Sequence, residues 1–263
     1  MDLELTGKTA FISGSTQGIG YAVARRLACE GVAVTLHGRD AAKLAAAVAH
    51  LQEEVPGATV DGIAADVAEP AQVERLCAEL PDVDILVNNV GLFELKPFAD
   101  IAADEWRRYF EVNTLSGALL SQRLLPGMLA RGWGRIVFIS SESGVNIPAD
   151  MIHYGASKAA LMAVGNGLAK LTRGTGVSVN SVLGGPTYSD GVAGTVENLA
   201  GATGRSVAEM KQAIISANAT SLLERFIEPA EIAAMVAFLA SPLASATNGA
   251  AVRVDGGVLT SVV

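Results

Sequence analysis

The sequence predicts a doubly wound α/β protein, a parallel sheet covered by helices on both faces, and three observations predict it. Short β-branched or apolar runs alternate with longer segments of helical period along nearly the whole chain. The short runs are apolar throughout rather than at every second residue, so each strand needs cover on both faces, which crossover helices between parallel strands supply. The 263 residues, half of them hydrophobic and 17% charged, are enough for one large core of this kind.

The elements follow in order. Thr9-Ala10-Phe11-Ile12-Ser13 is the first strand, followed by a helix from about Ile19 to Glu30. Val32 to Leu36 is the second strand, and Asp40, a residue type that caps helix starts, introduces an Ala-rich helix from Ala41 to Glu54. Val60 to Ala64, a helix from Glu69 to Leu80, and Ile85-Leu86-Val87 continue the alternation. A long helical stretch from Asp104 to Arg131, the strand Arg135 to Ile139, a helix from Tyr154 to Arg173 and the strand Ser178 to Val182 come next. A helix from Pro229 to Ala240 precedes the last strand, Ala251 to Val254. Between Asp190 and Arg225 two short helical patterns and several glycines break the rhythm. That segment reads as an insertion, about 190–225, within a single domain spanning 1–263.

Charge and composition narrow the function. A formal charge of −8 without a Lys/Arg cluster argues against nucleic acid as a partner. There is no apolar run of membrane-spanning length, and Met1 to Lys8 is acidic where a secretory leader is basic, so a cytoplasmic location away from membranes is expected. His37, His50 and His153 are scattered without acidic or Cys neighbours at ligand spacing, so no metal site is expected. Cys29 and Cys77 fall at apolar-periodic helix positions and are expected to be buried thiols.

Directly after the first strand stands Gly14-Ser15-Thr16-Gln17-Gly18-Ile19-Gly20, opening into a helix. Glycines let the backbone turn sharply there and approach a pyrophosphate, which the free N–H groups and dipole of the helix start attract. A plain glycine-rich turn is the alternative reading. The spacing is Gly-x-x-x-Gly-x-Gly, not the commoner Gly-x-Gly-x-x-Gly, and it resembles the glycine motif of short-chain dehydrogenases/reductases. Further stretches match that family in order: Asp66-Val67 after the third strand, and Asn88-Asn89-Val90-Gly91 where the family has Asn-Asn-Ala-Gly after the fourth. The resemblance runs from about Gly7 to Gly257 and implies a Rossmann-type domain. It further implies that Asp66 contacts the adenine, with Val67, Asn89, Val90 and Gly91 beside the adenosine.

The end of the second strand bears on which nicotinamide is used. Gly38 lies where NAD-preferring relatives carry an acid and Arg39 follows as in NADP-preferring ones, so NADP(H) is expected, with NAD(H) the alternative. Gln17, where a second basic residue is common, and Asp40, which could pair with Arg39, weigh the other way.

Tyr154 and Lys158 stand four residues apart, on one helical face. An ammonium about 4–5 Å from a phenol, at an effective dielectric near 20, would lower its pKa, while desolvation of the phenolate would oppose this. The expected net direction is downward. By the resemblance, Tyr154 exchanges a proton with the substrate oxygen, Lys158 holds the nicotinamide ribose, and Ser141 bonds the substrate oxygen, with Ser140 and Ser143 as alternatives. Asn113 matches the family's water-supporting Asn, or is a helix-distorting residue with a backbone partner. After the sixth strand Gly184 replaces the family's proline before Gly185, so that loop is expected to be looser, with Thr187 or Ser189 facing the carboxamide.

By the resemblance, 190–225 is a substrate lid, and the helix from Tyr154 and the long one before it pair across a homotetramer. Leu92, Phe93, Glu94, Asn146, Ile147, Met151, His153 and Tyr188 are candidate neighbours of a small-molecule substrate by position. Three functions stay open: reduction of 3-oxoacyl or similar ketone groups, oxidation of a sugar or polyol, and nucleotide-dependent regulation without turnover.

Overall fold

The computed structural model describes residues 1–262. Its strands are β1 (Thr9–Ile12), β2 (Ala33–Gly38), β3 (Val60–Ala64), β4 (Ile85–Asn88), β5 (Trp133–Ser141), β6 (Gly176–Gly184) and β7 (Ala251–Val254). All pair in parallel, in the order β3-β2-β1-β4-β5-β6-β7. The order runs outward in both directions from β1 and β4. A crevice opens past the carboxyl ends of such a pair, because the connections leaving them diverge to opposite faces.

The helices are α1 (Gly18–Cys29), α2 (Ala41–Glu54), α3 (Pro70–Glu79), α4 (Ala103–Phe110), α5 (Ser116–Arg131), α6 (Ile152–Leu171), α7 (Asp190–Thr203), α8 (Val207–Ala217) and α9 (Pro229–Ala240). Successive strand side chains point to opposite faces, and both faces are dry. Ile12, Val87 and Ile139 join one core with α1, α2 and α9. Phe11, Leu86 and Phe138 join the other with α3, α5 and α6. Asp40 caps α2 as its residue type predicts, accepting from the Ala42 and Lys43 amides at 2.9 and 3.0 Å.

Two expectations change. The long helix over 104–131 is interrupted by a π-turn at Glu111–Leu115, where the Asn113 side chain bonds outside the helix instead of merely accompanying it. Cys29 is exposed: the buried stripe of α1 is Val23, Ala24, Leu27 and Ala28, and one residue further the helix has turned by about 100° toward solvent. Cys77 is half-buried. No helix among the described residues is long and apolar enough to cross a membrane.

Candidate active site

The crevice between β1 and β4 is stitched by side chains onto backbone. Asn89 Nδ2 donates to the carbonyls of Ser13 and Gly14 at 3.1 and 2.8 Å, and Ser13 Oγ accepts from the amides of Asn89 and Val90 at 2.9 and 3.2 Å. Ser15 Oγ donates to the Ile12 carbonyl and accepts from the His37 amide, so its side chain holds the loop from behind. His37 Nδ1 accepts from the Gly14 amide at 3.1 Å, and burial pushes the imidazole down to about 4, keeping it neutral as that bond requires. Gly14 and Gly18 have φ of +63° and +60°, and a Cβ on Gly20 would collide with the Gly14 carbonyl and the Asn89 amide. The third glycine is what lets α1 start this close to the loop.

A cavity of about 440 Å³ results, lined by Gly14, Thr16 and Gln17 on one side and by Asp66, Val67, Val90 and Gly91 on the other. Arg39 stands at its mouth beside Lys43, and Arg108 reaches it from α4. The sequence reading missed Lys43, although it lies four residues after Arg39, in the first turn of α2. Gly38 cannot take a side chain without displacing Thr16, whose Cγ2 lies 2.5 Å from where a Cβ would sit. Ile19 is half-buried in the first turn of α1. The Gly18 amide donates to Asp190 Oδ2 at 2.6 Å, so the first residue of α7 sits at the start of α1.

At the other end β5, the π-turn and α6 bring four predicted side chains together. Ser141 ends β5, its Oγ accepting from the Ser143 amide at 3.1 Å and near enough to the Tyr154 phenol to lower its pKa. Ser140 is instead bonded to the Lys158 carbonyl, and Ser143 Oγ to Glu142 Oε1. Asn113 Oδ1 accepts from the Leu92 amide at 2.7 Å, while its Nδ2 donates to the Leu92 carbonyl and to Ser157 Oγ at 3.0 and 2.9 Å. Lys158 Nζ donates to the Ile139 carbonyl at 2.9 Å and lies 5.9 Å from the Tyr154 ring centre. A Cβ on Gly91 would sit 3.2 Å from Nζ, so the glycine lets the ammonium lie against the Gly91 backbone.

The Tyr154 pKa moves opposite to expectation. Burial pushes the phenol up to about 12, against the lowering bond from Ser141 and with the raising charge of Glu142. Burial also pushes Lys158 down to about 8. The same desolvation penalises both charged forms, and Lys158 is turned to a carbonyl rather than to the phenol.

The loop after β6 is braced despite Gly184. The Gly185 amide donates to the Val254 carbonyl at 3.1 Å, and a Cβ on Gly185 would strike the Asp255 backbone. Thr187 Oγ1 donates to the Gly185 carbonyl at 2.9 Å, Thr187 pairs with Ile227, and Ser189 precedes α7 at its N-cap position.

Phe93 faces Tyr154, ring centres 6.4 Å apart, with Gly191 close over it. His153 and Tyr188 face elsewhere. His153 is fully buried against Tyr109, centre to centre 3.9 Å, and near Trp106, while Tyr188 packs edge-on to Phe226 beneath Lys211.

Residues 8–200 match the family model for short chain dehydrogenase. The chain belongs to the short-chain dehydrogenase/reductase family. It is an NAD(P)-dependent oxidoreductase that moves a hydride between nicotinamide and a carbonyl or secondary-alcohol carbon. The uncharacterised oxidoreductase YvrD of Bacillus subtilis strain 168 is 44% identical over 267 residues, covering 100% of both chains. The 3-oxoacyl-[acyl-carrier-protein] reductase FabG of Aquifex aeolicus is 32% identical, covering 98% of this chain and all of its own. L-sorbose reductase from Gluconobacter frateurii, solved with NADPH and L-sorbose, superposes with a TM-score of 0.93 at 32% identity over 100% of both chains. The crevice fits the dehydrogenase coenzyme: a cavity of about 440 Å³ lies over the start of α1, with the Gly14, Asp66, Asn89 and Gly91 positions in its lining.

Proposed function

We propose that this dehydrogenase is an NADP(H)-preferring ketone reductase with Tyr154 as proton carrier, Ser141 as anchor of the substrate oxygen, and Lys158 and Asn113 as its support. The observation that carries this is the convergence of those four side chains at the end of the glycine-lined crevice. Bound nicotinamide supplies or accepts the hydride. Tyr154, held near 12, keeps its proton at neutral pH, which suits a general acid that gives it to a carbonyl oxygen as charge develops there. Ser141, beside the phenol, donates to the same oxygen and aligns it. Lys158 holds the ribose edge of the coenzyme and places a positive charge beside Tyr154 when the phenolate forms. Asn113 fixes the Leu92 backbone and Ser157, which sets the height of α6 against the crevice.

Arg39 and Lys43 support NADP(H), since two cations at the mouth suit a 2′-phosphate and Thr16 occupies the space of the acid that would repel it. Among the glycine-loop residues, Gly14, Thr16, Gln17, Gly18 and Ile19 take the pyrophosphate side, and Gly185, Thr187 and Ser189 the nicotinamide side. Residues 190–225 form the substrate lid of a single domain. The dehydrogenase works in the cytoplasm as a homotetramer through α5 and α6, with Leu115 just before α5 and Leu171 at the end of α6 as exposed apolar residues. A second reading, a ketose or polyol substrate, is favoured by the full-length likeness to L-sorbose reductase.

Initial rates at 340 nm with NADPH and NADH over ketones, 3-oxoacyl thioesters and ketoses test this beside Tyr154→Phe. Turnover with NADPH that the substitution abolishes, with coenzyme binding retained, is the expected result; turnover that survives it overturns the reading.

A further inference from the structure

Arg108 is a cation on the coenzyme cavity that the chemistry above leaves unused. It stands on α4, one turn ahead of Val112, and both residues line the cavity. Three acids lie within a helical turn of it, Asp104, Glu105 and Glu111, at the spacings where side chains on a helix meet. Arg107 pairs with Asp104 and Lys96 with Glu105, whereas Arg108 forms no ion pair among the described residues. In a protein of formal charge −8, its guanidinium is left to solvent or to whatever fills the cavity.

The two walls of that cavity belong to opposite faces of the sheet. Arg39 and Lys43 stand at the start of α2, whose Leu44 and Ala47 pack in one core with Ile12 and Val87. Val67, Val90, Leu92 and Val112 also line the cavity and pack in the other core with Phe11 and Leu86. Arg108 rises from this second, apolar wall, across the cavity from the other two cations. Neither Ser141 nor Tyr154 lines the cavity. With the pyrophosphate at the start of α1 and the nicotinamide beside Tyr154, the adenosine half of the coenzyme is what is left to fill it. Within that half a phosphate suits the Arg39 and Lys43 side, and a flat base suits the apolar wall. A guanidinium at the edge of such a wall is planar, weakly hydrated and able to stack on an aromatic face.

We propose that Arg108 holds the adenine of the coenzyme against the Val67 and Val112 wall, its guanidinium lying on the base. This rests on the coenzyme reading of the crevice and adds a contact that NADP(H) and NAD(H) share: Arg39 and Lys43 choose between the two, and Arg108 binds both.

The test titrates the native protein, Arg108→Ala and Arg108→Lys with NADPH, with NADH and with reduced nicotinamide mononucleotide, which lacks the adenosine half. Affinity is read by coenzyme fluorescence, without turnover. Arg108→Ala weakens NADPH and NADH alike, by about tenfold, the size of a partly desolvated cation–π contact, and leaves the mononucleotide unchanged. Arg108→Lys keeps the charge but not the plane and recovers little of the loss. The loss is the same in low and high salt, whereas an exposed contact with the 2′-phosphate would be screened. Arg108 is exposed, so both variants keep the native thermal midpoint. A loss confined to NADPH, a loss that extends to the mononucleotide, or full rescue by lysine overturns the proposal. Native protein that binds neither dinucleotide overturns the coenzyme reading together with it, while native binding that Arg108→Ala leaves unchanged overturns the Arg108 contact alone.

Discussion

On the adenosine side of the crevice the decisive contacts all end on the backbone of the glycine loop: Gly20 beneath the Gly14 carbonyl, the Asn89 side chain across two carbonyls, the His37 ring on the Gly14 amide. At the other end they are side chain against side chain, with Phe93 facing Tyr154, Glu142 on Ser143 and a 190–225 segment whose small core is Val196, Ala200 and Met210. A site anchored on backbone has little room to vary without losing its ligand, whereas side chains around a small separate core exchange at modest cost. The same dehydrogenase scaffold can therefore keep one coenzyme and change substrates.

The sharpest way to break that contrast is Gly20→Ala. The added methyl has no space, and coenzyme affinity measured by fluorescence titration should fall more than about a hundredfold, as overpacking by one carbon at a rigid contact costs ~3 kcal/mol. Phe93→Ala on the other side should leave that affinity within about threefold, since an exposed ring gives up little packing.

His37 tests the adenosine side through pH. The unfolded chain takes up a proton below its ordinary 6.5, whereas the folded imidazole resists until about 4. Stability falls as pH drops across that window and levels off below it, by up to about 3 kcal/mol. Urea midpoints for the native protein and His37→Gln between pH 7 and 4 should converge as the native protein loses this advantage.

Coenzyme choice should respond next. Gly38→Asp alone forces Thr16 aside and weakens both coenzymes. Gly38→Asp with Thr16→Gly makes room, and should shift kcat/KM from NADPH toward NADH by about tenfold, through like-charge repulsion of the 2′-phosphate. The smallest expected effect is at the seam between the regions. Asp190→Asn removes a negative charge from the start of α1 and should tighten coenzyme binding by about threefold in low salt, less in high salt.

The seven strands, the helices between them and the Tyr154–Lys158 pair could be read from the sequence, because fully apolar runs and a four-residue step are properties of the chain itself, whereas Ser141 and Asn113 came only through the family resemblance. The inward turn of His153 and Tyr188 could not, since a side chain's direction depends on which neighbour offers a cleft: Tyr109 for one, Phe226 for the other. The rise of the Tyr154 pKa was missed for a related reason. Sequence spacing gives the distance between Tyr154 and Lys158 but not the depth at which both are buried, nor that the ammonium turns to Ile139. Lys43 carried a visible signal, four residues from Arg39 across the cap of α2, that was not used.

The π-turn at Glu111–Leu115 constrains how this protein can change length. A π-turn holds one residue more than the α-helical turn it replaces, and the two helices it joins are committed in different directions, α4 through Trp106 and Tyr109 to His153, α5 through Leu120 and Leu124 to the sheet. Losing or gaining one residue between Trp106 and Leu120 would rotate one face by about 100° against its partner. Insertions and deletions are thus confined to places outside that span, such as 190–225, while Asn113 stays locked in phase with two helices at once.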